Sequence, residues 1–170
     1  MAADVEKPDP PSLVVRAARP DDGPALGRLA AMLVDLHHRF DADRFIAADA
    51  GTAAGYGGYL VSQLKRPQAM VLVAEAGGAV LGYAYAGMEG HDWMALRGPA
   101  GAIYDIIVDP EHRGQGVGRR LLDQTLAALA ERGAPRVVLS TATRNEGAQR
   151  LFARAGFRPT MVEMTRERTD

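Results

Sequence analysis

The sequence predicts a single mixed α/β layered domain, and three observations lead there. Its 170 residues fit one domain of roughly 150 residues and leave no room for two full ones. A composition of 47% hydrophobic and 24% charged residues with a formal net charge of -1 is that of an ordinary globular chain, far from the apolar-poor signature of disorder. Runs of β-branched residues alternate with amphipathic stretches in the order strand, helix or helices, strand hairpin, strand, helix, strand, helix, strand.

Residues 1–11 carry Asp4, Glu6 and Asp9 among three prolines, lack the apolar core of a signal peptide and are expected to form a disordered tail ahead of a domain at 12–168. Leu13 to Arg16 reads as a strand. Asp21 or Asp22 then offers an N-cap before Pro24, and Leu26, Leu29, Leu33 and Leu36 mark one face of a helix. From Arg39 to Tyr56 the pattern weakens into Asp-, Ala- and Gly-rich sequence, expected to be loop or marginal helix, with a second helix around Gly58 to Lys65. Met70 to Ala76 and Ala79 to Ala86 flank Gly77-Gly78 as a hairpin. A loop from Gly87 to Gly101 leads to a strand from Ala102 to Val108, halted by Asp109-Pro110. The next helix carries Leu121, Leu122, Leu126 and Leu129 and closes at Gly133 and Pro135. Val137 to Thr141 reads as a strand. Thr143 and Glu146 have capping-box spacing for a helix ending at Gly156, and Pro159 to Thr165 is the expected last strand.

Several function classes are excluded at once. Without cysteine there is no disulfide scaffold, thiolate zinc site or cysteine nucleophile. The balanced charge argues against a dedicated nucleic-acid binder. Met70 to Gly87 has nearly the length of a membrane span, but Glu75 and Gly77-Gly78 interrupt it and its Val, Leu and Tyr content suits strands.

The chemistry concentrates at Arg113-Gly114-Gln115-Gly116-Val117-Gly118. Alternating glycines between a strand and a helix let the backbone approach a ligand and aim successive N–H groups at it. The helix adds its unpaired N-terminal donors and the positive end of its dipole, which together make an anion site. Three arginines less Glu111 leave +2 between Glu111 and Arg120. No lysine follows these glycines as a Walker loop requires, and Arg119 stands where a dinucleotide fingerprint needs its third glycine.

These residues resemble the [QR]-x-x-G-x-[GA] acyl-CoA motif of the GCN5-related N-acetyltransferase (GNAT) family. Asn145, Ala148, Leu151, Phe152 and Gly156-Phe157 resemble that family's N-x-x-A-x-x-L-[YF]-x-x-x-G-F segment. The resemblance implies a mostly antiparallel mixed sheet flanked by helices with a splayed central strand pair, and acyl transfer from acetyl-CoA, as co-substrate, to a primary amine without a metal. It implies that diphosphate lies on the amides from Arg113 to Arg119, that Asn145, Ala148 and Phe152 border the cofactor, and that an N–H near Ile107 or Val108 polarises the thioester carbonyl.

An alkylammonium has no lone pair at pH 7, so a base must take its proton. Asp105 is the favoured candidate, with Tyr104, Glu75 and Glu89 near the same cleft. Asp105 reads slightly more readily as a structural carboxylate paired with an arginine or capping a neighbouring turn. Strict alternation puts Tyr104 and Asp105 on opposite faces. Where the family commonly has a tyrosine acid, this chain has Phe152, leaving Tyr83, Tyr85 and Tyr104 as substitutes or as packing residues. His37 and His38 read as a solvated helix end rather than metal ligands, His91 as a loop residue facing either acceptor or solvent, and His112 as a neighbour of cofactor phosphate. Asp35, Asp41, Asp43 and Asp49 either draw in a cationic amine or form an ordinary acidic surface. The expected partners are an amine on a small molecule or a protein, with no nucleic acid and no membrane. A homodimer through a strand edge or the hairpin is plausible, and the expected location is cytoplasmic. A non-catalytic acyl-CoA-binding module and a partner-binding domain are the alternatives.

Overall fold

A computed structural model describes residues 12–168, so the expected tail at 1–11 lies outside the described residues. Strands β1 (Val14–Ala17), β2 (Ala69–Ala76), β3 (Ala79–Glu89), β4 (Ala100–Val108) and β5 (Val137–Leu139) form one sheet in that order. The first four are antiparallel and β5 lies parallel to β4. Gly77 and Gly78 turn the β2–β3 hairpin with φ of 57° and 79°, left-handed values that glycine adopts without a Cβ clash.

Helices α1 (Gly23–Phe40) and α2 (Thr52–Gln63) cover one face of the sheet, and α3 (Val117–Glu131) and α4 (Glu146–Arg154) belong to the other side. Leu26, Leu29 and Leu60 pack with Val71, Val73 and Tyr83 on the first face, while Leu122, Leu129 and Phe152 pack with Ala86 and Ile103 on the second. Asp22 does not cap α1 through its side chain. Its carboxylate accepts from Arg16 at 2.8 and 2.9 Å and from the Arg19 amide at 2.7 Å, which ties β1 to the turn before the helix.

Helix α2 begins six residues before the expected start at Gly58. The glycines that read as breakers are what allow it. A Cβ on Gly27 would stand 2.1 Å from the Ala53 carbonyl oxygen, and one on Gly57 would stand 2.6 Å from that of Gly23, so the two helix backbones touch through these residues. Packing against α1 thus outweighs weak propensity. We expect Gly27→Ala to lower the thermal midpoint by several degrees, as overpacking of about 1–3 kcal/mol would. Gly55→Ala, where an added Cβ meets nothing within 4 Å, should be neutral or stabilising. Thermal unfolding of both variants checks this, and equal midpoints would contradict it.

Four other expectations need correction. The Thr143–Glu146 capping box does not form, because Asn145 is the N-cap and accepts from the Ala148 amide at 3.2 Å. Strand β5 stops at Leu139 rather than Thr141. No strand forms at Pro159 to Thr165. Residues 157–168 run without a ladder partner, with Met161, Val162 and Met164 exposed and Glu163 ion-paired to Arg44. Strands β3 and β4 also extend into the expected loop, to Glu89 and from Ala100.

Candidate active site

β4 and β5 pair only at Gly101↔Val137, Ala102↔Val138 and Ile103↔Leu139, while β4 continues to Val108. The five residues from Tyr104 to Val108 therefore lack a neighbour on that edge, and a cavity of about 850 Å³ opens there. The Asp109 amide donates to the Leu81 carbonyl at 2.7 Å, toward β3. Backbone groups alternate in direction along a strand, so Ile107 also faces β3 and the Val108 N–H faces the gap. Of the two amides expected near the thioester, Val108 is the available one, while the Ile107 side chain packs under α1 and α2.

At one end of the cavity lie Arg113, Gly114, Gly116, Gly118 and Arg119, facing Asn145, Ala148 and Phe152. Gly114 and Gly116 have φ of 75° and 83°, and a Cβ on either would meet nothing within 4 Å. These glycines serve backbone conformation and leave open space above the loop, unlike Gly27 and Gly57, which serve packing. Gln115 and Val117 do not line the cavity: Gln115 donates to the Glu111 carbonyl at 3.3 Å, and Val117 is buried in the core. Arg119 lies in the first turn of α3, and its Nε donates to both Asp123 oxygens at 2.8 Å. Arg150 and Arg154 of α4 also line this end, two cations that a motif-based reading passed over. His112 places a buried Nδ1 without a hydrogen-bond partner beside the loop.

The other end holds the carboxylate. Asp105 is 9% exposed and accepts from Tyr56 Oη at 2.7 Å and Tyr83 Oη at 3.0 Å. Among the described residues no arginine pairs with it and it caps no turn; its partners are the two phenols. Burial raises its pKa above the ordinary aspartate range against the opposing pull of the two phenols. Burial also pushes both phenols strongly up, followed by the charge of Asp105. Tyr83 has no solvent-reaching hydroxyl, since it is fully buried, and Tyr85 donates to Gln63 Oε1 at 3.1 Å.

Tyr56 lines the cavity and was missed by sequence reasoning, which left it at the end of an irregular stretch. Its signal lies in the spacing Tyr56, Tyr59, Leu60, Gln63, one face of a helix.

The bulge in β4 overturns strict alternation at Tyr104. Tyr85 lies opposite Asp105 and Ala86 opposite Ile103, leaving Tyr104 as the extra residue. Asp105 and Tyr104 therefore share the α1–α2 face. The Tyr104 ring packs on Tyr85 at 4.7 Å, and burial, followed by a hydrogen bond to Glu89, pushes its phenol up to about 12. Glu89 pairs with Arg97 at 2.5 Å, Glu75 pairs with Arg16 at 2.5 Å at the β1 edge of the sheet, and neither lines the cavity, which removes both as bases.

His37 and His38 are not a solvated helix end. His37 lines the cavity with Nδ1 2.9 Å from the Leu33 carbonyl, and His38 Nδ1 lies 2.8 Å from that of Phe45. His91 stacks on Trp93 in the β3–β4 loop, away from the cavity lining. Asp35, Asp41, Asp43 and Asp49 are exposed and none lines the cavity. No group of three or more histidines and carboxylates among the described residues is placed to hold a metal. No helix among them is long and apolar enough to cross a membrane.

The acetyltransferase (GNAT) family model matches residues 15–157, the full span of sheet and helices just described. The chain belongs to this family. A mycothiol acetyltransferase of Thermobispora bispora is 34% identical over 131 residues, covering 69% of this chain and 43% of that protein. The L-amino acid N-acyltransferase MnaT of Escherichia coli is 32% identical over 119 residues, covering 69% of this chain and 59% of that one. The chain thus spans less than half of the first relative and about three-fifths of the second. The structure of a GCN5-related N-acetyltransferase from Ralstonia eutropha superposes with a TM-score of 0.67 at 28% identity, covering 92% of this chain and 98% of that one.

Proposed function

We propose that residues 12–168 transfer the acetyl group of acetyl-CoA to a primary amine by direct attack of the amine on the thioester. The observation that carries this is a single cavity running from the glycine-loop cradle, along the unpaired edge of β4, to a buried carboxylate. The residues present fit the co-substrate. Amides of the loop with φ-positive Gly114 and Gly116 would hold its diphosphate, with Arg113, Arg119, Arg150 and Arg154 around it, and Asn145 Nδ2 remains free while its Oδ1 caps α4. Acetyl-CoA supplies the activated acyl group.

The chain's own groups do the rest. Asp105 takes the proton that keeps the amine from attacking, a task suited to a carboxylate whose pKa burial has raised toward neutrality. The Val108 N–H donates to the carbonyl oxygen as negative charge develops on it. Phe152 supplies no proton to the leaving thiolate. Tyr56 fills that gap, because its hydroxyl lies in the cavity and is hydrogen-bonded to the carboxylate that has just been protonated. Passing its proton to sulfur and regaining one from Asp105 returns both groups to their starting states, and the second proton, which the nitrogen sheds as the tetrahedral intermediate collapses to the amide, passes to water in the open cavity. Tyr104, held by Glu89, borders the acceptor rather than the leaving group.

The test is amine-dependent release of free CoA thiol with a stoichiometric N-acetyl product. Initial rates should show intersecting rather than parallel lines and no acetyl-enzyme without amine. Phe152 favours a second reading, a non-catalytic acyl-CoA-binding module. Tight acetyl-CoA binding without amine turnover would establish that reading and reject the first.

A further inference from the structure

Resting on the transfer reading, we infer that the acceptor is a primary amine with one cationic centre on an apolar alkyl or aryl body, seated against the α1 side of the cavity. The cavity is strongly polarised along its length. Its cationic end is the arginine-rested cradle. At the other end the wall is Leu33, Leu36, Phe45 and Ile46, with His37 and Tyr56 as its polar members. Among the described residues lining the cavity, Asp105 is the only carboxylate.

Asp35, Asp41, Asp43 and Asp49 near that end are exposed and outside the cavity lining, and three of them are held by local contacts. Asp35 is ion-paired to Arg39. Asp41 accepts from the amides of Asp43 and Arg44 at 3.2 Å, and Asp49 accepts from Thr52 Oγ1 at 2.8 Å and the Gly51 amide at 2.9 Å. Glu163 is ion-paired to Arg44. A polycation would hold its first ammonium at Asp105 and press the next against the apolar wall, where a desolvated charge without a partner is costly. An alkyl or aryl body meets the opposite situation. Ile46 is 79% exposed at the rim, and an apolar ligand would cover area the protein itself leaves in water.

His37 completes the seat. The Leu33 carbonyl can only accept, so Nδ1 carries the hydrogen and, in the neutral ring, Nε2 keeps its lone pair. The ring is held by edge contacts to Phe45 at 5.1 Å and Phe40 at 6.0 Å, and its charge, when present, acts on Asp105.

The experiment measures kcat/KM at saturating acetyl-CoA for propylamine, butylamine, pentylamine and hexylamine, with phenethylamine and spermidine alongside. Calorimetric binding of hexylamine to the CoA-loaded protein is measured in parallel. We expect kcat/KM to rise about fourfold per methylene, the factor that corresponds to roughly 0.8 kcal/mol per buried CH₂. Spermidine should fall at least tenfold below hexylamine. Ile46→Asp, at an exposed position, should flatten the chain-length series and raise spermidine. Acetylation with no chain-length dependence, or with spermidine preferred, overturns the inference and leaves the transfer reading intact. Hexylamine binding without turnover supports the apolar seat and overturns the transfer reading. Neither binding nor turnover of any apolar amine overturns the seat.

Discussion

Asp105→Asn should lower kcat by about 10²–10⁴-fold while leaving acetyl-CoA binding and the fold in place. The side chain is nearly isosteric and sits at 9% exposure between two phenol hydroxyls that can turn from donating to accepting. The same buried position gives the prediction a second readout. Because folding raises the Asp105 pKa, the carboxyl holds its proton more tightly in the fold than in the unfolded chain. Its stabilising contribution is complete below the unfolded-state value and is lost as pH rises through the folded-state value. Above that window the ionised group is a burden on stability, so the asparagine variant should unfold at the same temperature or higher once the pH exceeds the folded-state pKa. Activity has the opposite dependence: the wild-type rate should fall as pH drops through the folded-state pKa, and that acid limb should vanish in the variant. A variant that loses little activity, or that keeps the limb, would remove Asp105 as the base.

Tyr56→Phe separates two roles of the phenol. Its hydrogen bond lowers the Asp105 pKa, so its loss should move the acid limb to higher pH. If Tyr56 also protonates sulfur, the plateau rate above that limb falls as well; a shifted limb with an unchanged plateau would leave it a positioning residue only.

The parts of this site that were legible in the sequence are those whose physics is local. Alternating glycines ahead of a helix permit a left-handed loop, and Gly114 and Gly116 adopt it. The Gly77-Gly78 hairpin and the leucine stripe of α3 are equally local, depending on turn geometry and helical period. What was not legible depends on partners distant in sequence. Helix α2 forms over glycine-rich residues because Gly27, roughly thirty positions away, lets it lie against α1. Tyr104 and Asp105 share a face because β4 bulges against β3, and no residue type in Ile103-Tyr104-Asp105-Ile106 announces that register shift. The expected strand at Pro159 to Thr165 had the right composition but no ladder to join, because β5 is only three residues long. Phe152 shows the same limit: its motif position was readable, whereas the hydroxyl proposed to stand in for the missing acid belongs to Tyr56 on another helix, bonded to Asp105.

Gly116→Glu should abolish measurable acetyl-CoA binding, a loss of at least roughly a hundredfold, and Gly116→Ala divides that loss into its causes. At φ of 83° any side chain meets the left-handed penalty, of order 1–2 kcal/mol, so alanine alone should weaken binding by strain in the loop. The protein itself offers no obstruction, since an added Cβ meets nothing within 4 Å. Glutamate adds two further effects. Its chain projects into the cradle that the ligand backbone would approach, and its negative charge stands among N–H donors arranged for an anion. The two variants should therefore bind in the order wild type, alanine, glutamate, measured by calorimetry with acetyl-CoA and with free CoA. Free CoA should suffer the same losses, because on the proposed placement the diphosphate rather than the acetyl group would lie at the loop. If glutamate binds as alanine does, the anion is held elsewhere, and the arginines of α4, Arg150 and Arg154, become the groups to remove next.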